Sequence, residues 1–157
     1  MAHIPVNHPA RPVYRILAGL IGLYIVAFGV FGLVETADEV LFSRGSHWVL
    51  GLRTNMAFAL VSVVFGLIVI FGAVHRGNIG HLMNLTAGVV FLVVALVMLT
   101  VLQTEANILN FSISTVVVSM LFGLVLLATG LYDKIGPHED AGMEHEVRDR
   151  SGAGSGG

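Results

Sequence analysis

Seven histidines, ten acidic residues and no cysteine hold nearly all the side-chain chemistry open to this 157-residue chain. Their spacing decides what they do. His75 and His81 stand six residues apart around a short polar joint, His47 is isolated, and His3, His8, His138 and His145 fall in the terminal segments. A haem or metal in a helix bundle is ligated by side chains facing one another from helix interiors, which this distribution does not offer. No metal and no cofactor are therefore expected, and His75-Arg76 and His81 read as polar anchors near lipid head groups. Glu35, Asp38 and Glu39 form an acidic cluster that could in principle serve acid–base chemistry. No nucleophile, suitably spaced histidine or metal motif accompanies it, so a solvated helix end is the expectation. Absence of cysteine removes thiol catalysis, disulfides and iron–sulfur ligation together. The remaining polar groups are mild: Ser62, Asn84, Thr86, Thr100, Ser112, Ser114, Thr115, Ser119 and Thr129. Hydroxyls bond back to their own helical turn, and interhelical bonds of this kind average only ~0.6 kcal/mol. Asn84 is expected close to a membrane boundary, where water satisfies it. The chain reads as a protein that is not an enzyme.

The elements that carry these residues are plain. Residues 16–34, 54–74, 82–104 and 106–132, stretches of 19, 21, 23 and 27 residues, contain no Asp, Glu, Lys, Arg or His. Crossing a hydrocarbon core of ~30 Å takes about 20 apolar helical residues. Only 11% of the chain is charged, where soluble domains carry about 25%. The expected fold is an all-α integral membrane protein, a four-transmembrane-helix bundle with helices at about 13–34, 55–74, 81–102 and 112–132. The first stretch exceeds the ~7–15 apolar residues of a signal peptide and lacks a small-x-small cleavage site after it, so it is expected to be retained. Residues 1–12, with Pro5, Pro9 and Pro12, form an extended tail; residues 133–157 turn charged and then Gly/Ser-rich, composing a disordered tail. No proline interrupts a span, so the broken helices of many transporters have no evident counterpart.

Ionisable groups at mid-depth mark proton relays and ion pathways, and the spans hold none. A formal charge of −2 gives no sign of nucleic-acid binding. Arg11, Arg15, Arg76, Lys134, Arg148 and Arg150 fall on one side of the spans, with only Arg44 and Arg53 on the other. By the positive-inside rule both termini are cytoplasmic and the protein lies in the cell's plasma membrane.

Helices in lipid associate through close backbone approach. Ala18, Gly19, Gly22, Gly29 and Gly32 fall within one ~140° face of the first helix at ~100° per residue, a groove for a neighbouring helix. The 35–53 segment joins apolar Phe42 and Trp48 to His47 and is the expected contact with a partner or with the membrane interface. There is also an internal echo. Ser62 to Ile68 matches Ser119 to Val125 at a spacing of 57, and Ala18-Gly19 matches Ala87-Gly88 at 69. Either the chain is two helical hairpins in parallel orientation, or apolar helices are alike by composition; packing decides between them.

Arg15-Ile-Leu-Ala-Gly-Leu-Ile-Gly-Leu, the stretch from Asn55 to Gly66, His81-Leu-Met-Asn-Leu-Thr-Ala-Gly88 and Phe122-Gly-Leu-Val-Leu-Leu-Ala-Thr-Gly130 together resemble a family of small four-helix membrane proteins, common in actinobacteria and known as a domain of unknown function. The resemblance covers about residues 13–132. It implies the fold and the membrane location and transfers no catalytic residue; small chains of this kind also occur as accessory subunits of actinobacterial respiratory assemblies. The functional expectation is a non-enzymatic protein that works through contact with lipid and other membrane subunits, as an accessory or assembly subunit. The alternative is a small channel or transporter assembled as a homo-oligomer.

Overall fold

A computed structural model describes residues 9–75 and 78–133 of the protein. Four helices carry the fold: α1 (Arg11–Glu35), α2 (Met56–Val74), α3 (Asn78–Val101) and α4 (Ile113–Tyr132). All four are long and apolar enough to cross a membrane. Between α1 and α2 lies one short antiparallel pair, β1 (Trp48–Val49) and β2 (Leu52–Arg53), which the sequence reading of 35–53 as a loop did not include.

Helix boundaries follow local chemistry. Pro12 sits in the first turn of α1, where its missing N–H costs nothing, so the helix starts at Arg11 rather than at residue 13. Asn55 caps α2 by accepting from the Phe58 N–H at 2.8 Å, and Ser112 caps α4 by accepting from the Thr115 N–H at 3.3 Å. These caps satisfy donors that a helix start otherwise leaves open. Helix α3 begins at Asn78, about a turn before the expected His81. The expectations for residues 1–8, for 134–157 and for Arg76 lie outside the described residues. Asp133, assigned to the tail by composition, instead belongs to the bundle. It closes α4, is fully buried, and pairs with Arg11 at the start of α1.

Helix α1 packs chiefly on α2 and α3 chiefly on α4; the two hairpins meet through α1–α4 and α2–α3. The contacts inside the hairpins repeat. A Cβ on Gly22 would meet the Ile70 nitrogen and the Gly66 oxygen, while a Cβ on Gly88 would meet the Leu127 nitrogen and the Gly123 oxygen. Gly66 faces Val26, and Gly123 faces Leu92. Arg15 donates to the Ala73 carbonyl, and His81 donates to the Gly130 carbonyl. Every pair is related by 66 residues between α1 and α3 (22 to 88, 26 to 92, 15 to 81) and by 57 between α2 and α4 (66 to 123, 70 to 127, 73 to 130). The spacing of 57 is the one in the sequence echo. The other is 66, not 69: the Ala-Gly match at 69 aligns similar letters, whereas the contacts pair Ile21-Gly22 with Ala87-Gly88.

Small residues line the seams and large ones face outward. Ala18, Ile21, Ile25, Val69, Ala73, Ala87 and Leu126 form the buried core toward the end that carries the helix termini Arg11 and Tyr132. Leu20, Leu23, Val64, Leu67, Leu121 and Leu124 are each more than half exposed. In water that arrangement would be an aggregating surface; in a bilayer it is the lipid-facing belt, since lipid is as apolar as leucine.

Candidate interaction site at the loop end

The 36–55 and 102–112 segments meet at one end of the bundle, stitched together by buried asparagines. Asn55 Nδ2 donates to the carbonyls of Ser43 (3.2 Å) and Ile108 (2.8 Å). Asn110 Nδ2 donates to those of Gly45 (2.8 Å) and Thr54 (3.0 Å). Asn107 Nδ2 reaches Leu102 and Phe111, both at 2.9 Å, and its oxygen accepts from the Phe111 N–H. Irregular backbone near a membrane persists only where its polar groups are paired, and these amides do that pairing. Arg44 adds a tie across the same seam, to the Glu105 carboxylate at 2.6 Å and to the Thr104 carbonyl. Sequence reasoning missed all three asparagines; their signal was a cluster of amides beside helix starts.

The β1–β2 hairpin folds against the groove between α1 and α4. Val49 and Leu52 are buried with Phe28, backed by Tyr24, Phe58 and Val118. Tyr24 donates its hydroxyl proton to the Leu50 carbonyl at 2.9 Å. The two-residue turn places Leu50 at φ 49° and Gly51 at φ 83°, the signs a type I′ hairpin turn requires. Glycine adopts that conformation freely; leucine pays roughly 1–2 kcal/mol for it.

The candidate residues fall in three places. Phe42 and Trp48 are each 54% exposed, Leu50 48% and Val40 78%, so the 40–50 segment carries several exposed apolar side chains. His47 is mostly turned inward: its Nε2 lies 3.3 Å from Glu39 and its Nδ1 3.9 Å from Glu35. The acidic cluster thus has the histidine partner that linear spacing did not reveal. Among the described residues no group of three or more His, Cys, Asp or Glu could hold a metal ion. Gly22, Gly29 and Gly32 face α2 of the same chain, within 3 Å of a Cβ built on each, and Ala18 is fully buried; Gly19 stands clear, with only Ala73 Cβ at 3.9 Å.

The opposite end is closed by charge. Arg15 donates to the carbonyls of Ala73, Val74 and His75, capping the end of α2. His81 does the equivalent for α4 through Nδ1, which therefore carries the proton. Tyr14 and Tyr132 stack with centroids 5.1 Å apart. Asn84 corrects the expectation of a hydrated boundary residue. It is fully buried, packs against Gly72, and neither its oxygen nor its nitrogen has a protein partner. With α3 starting at Asn78, Asn84 lies more than a turn inside the helix, on the face toward α2.

Fold and site together define a multi-pass helical membrane protein, built as two glycine-seamed hairpins tied at the loop end by buried amides. A family model described as a domain of unknown function (DUF4383) matches residues 15–132, and the chain belongs to that family. No curated protein and no solved structure matches it.

Proposed function

We propose that the protein is a non-enzymatic subunit of a larger assembly in the plasma membrane, possessing cytoplasmic termini and acting through its loop end as an accessory or assembly factor. The supporting observation is the exposure of Phe42 and Trp48 on a loop segment that the buried amides of Asn55 and Asn110 hold in place through four hydrogen bonds. Leu50 bears most on this reading. A turn selected for hairpin stability alone favours Asn-Gly or Asp-Gly; an exposed leucine at positive φ is strain retained for what its side chain touches. Large exposed aromatics on a rigid frame are also what dominates protein interfaces.

Gly22, Gly29 and Gly32 of the α1 face already seat α2 of the same chain, which favours the loop end as the place of partner contact. A photo-crosslinking amino acid placed at Phe42 or Trp48 tests this in intact cells. The expected result is a discrete adduct with another membrane protein, absent when the same group replaces the lipid-facing Leu124. Adducts with lipid alone from all three positions would overturn the reading.

A further inference from the structure

Between the two hairpins, in the half of the bundle nearer the loops, the helices enclose a cavity of about 130 Å³ with walls almost wholly of carbon. Phe28, Phe58, Phe65, Phe91 and Phe122 contribute to it from all four helices. Its origin is visible in the repeat. Ser62 and its equivalent Ser119 leave the centre of the bundle unfilled, and two turns further along the same helices the buried Val69 and Leu126 close it. Leu52, Leu109 and Phe111 cover the loop end. The side is less well covered. Val61 lines the cavity yet is 44% exposed, and it lies one turn from Phe65, whose ring meets Phe91 of α3 edge-on at 6.0 Å. The cavity is therefore least covered at Val61, on the α2 side next to α3 and within a membrane-spanning helix.

Two features select the occupant. An ordered water needs 2–4 polar partners; of the cavity's two serines, Ser62 already donates its proton to the Phe58 carbonyl at 2.7 Å. An apolar cavity of ~150 Å³ stays dry and accepts a benzene-sized group, and walls without a neighbour forfeit their dispersion contacts. The medium at the mouth is hydrocarbon, and the interior offers nothing to a charged or multiply polar head. We propose that the cavity is a binding site for the end of a phospholipid acyl chain, which enters between α2 and α3 and fills the seam between the two hairpins.

The test uses the full-length protein in phosphatidylcholine vesicles containing a trace of phosphatidylcholine with a photoactivatable diazirine at one acyl terminus. Adducts are mapped by peptide mass spectrometry. Labelling is expected at the buried Phe28, Ser62 and Phe111 as well as at outward-facing Val64 and Leu67. Val61→Trp plugs the mouth from α2, and Val90→Phe narrows it from α3. Each should lower interior labelling by about tenfold, the change that ~1.4 kcal/mol makes in an equilibrium, while outward labelling stays constant and reports an intact bundle. Labelling confined to outward residues would overturn the proposal, as would interior labelling that neither variant reduces. A parallel arm with a diazirine-bearing isoprenoid separates the sources: interior labelling by that probe alone would contradict an acyl-chain site.

Discussion

Glycine-to-alanine substitution at three α-helical seam positions should give three different outcomes, set by what each new methyl meets. A Cβ on Gly88 would lie 2.5 Å from the Leu127 nitrogen, 2.8 Å from the Leu127 Cα and 2.9 Å from the Gly123 oxygen, all of them backbone. No rotamer relieves that clash, so α3 and α4 must separate. Overpacking of this kind costs about 1–3 kcal/mol, and Gly88→Ala belongs at the upper end. On Gly22 the nearest atom is Ile70 Cγ1 at 2.7 Å, a side chain, with backbone only at 3.0 and 3.1 Å. A χ change at Ile70 absorbs part of the cost, leaving roughly 1–2 kcal/mol for Gly22→Ala. On Gly19 the only neighbour is Ala73 Cβ at 3.9 Å, ordinary contact, so Gly19→Ala should be neutral or stabilising by up to about 1 kcal/mol through helix propensity. Equilibrium unfolding in mixed micelles, followed by far-ultraviolet circular dichroism, measures all three against the parent. The difference between Gly88→Ala and Gly22→Ala should be about tenfold in the unfolding constant if they differ by ~1.4 kcal/mol. Equal effects at the three sites, or a larger loss at Gly19 than at Gly88, would refute the assignment of the seams.

Asn110→Ala should destabilise the protein by about 1–3 kcal/mol, because it orphans two buried carbonyls and places alanine at φ 55°; the same unfolding assay measures it. Asn84→Val removes two buried polar atoms that lack partners, so its stability should be unchanged or higher by about 1 kcal/mol, and a large loss would mean the amide has a partner. Leu50→Asn suits the hairpin turn and should gain up to about 1 kcal/mol in thermal stability while weakening recovery of the larger assembly. In sealed vesicles the protein alone should leave proton and potassium gradients intact, since Val69 and Leu126 close the bundle axis; flux that rises with protein density would favour an oligomeric channel.

The spans were legible because charge-free runs of this length have no other stable home, and their number and order follow from them. The pairing of helices was only half legible. The Ser-x-x-Phe-Gly-Leu echo between α2 and α4 includes the contact pair Gly66 and Gly123, so letters and contacts agree there at a spacing of 57. Between α1 and α3, Arg15 and His81 do one job with different chemistry, each donating to a carbonyl of the following helix, and letter matching slides by three residues. The β hairpin was hidden for a similar reason: Leu50 stands where an Asn or Asp would have announced the turn. The buried Asp133 was invisible because its partner, Arg11, lies 122 residues away. For the candidate site, Phe42 and Trp48 stood out by type, whereas the asparagines act through backbone carbonyls, so their clustering beside helix starts was the one mark they left in the sequence.

The proposed role of the loop end in joining this bundle to other membrane subunits is tested by the native mass of the protein extracted in mild detergent, for the parent and for the Phe42→Ser, Trp48→Ser double variant. The parent should run well above the monomer together with other proteins, and the double variant should fold but migrate alone. A parent found only as a monomer or small homo-oligomer, or a double variant that keeps the full complex, would contradict it.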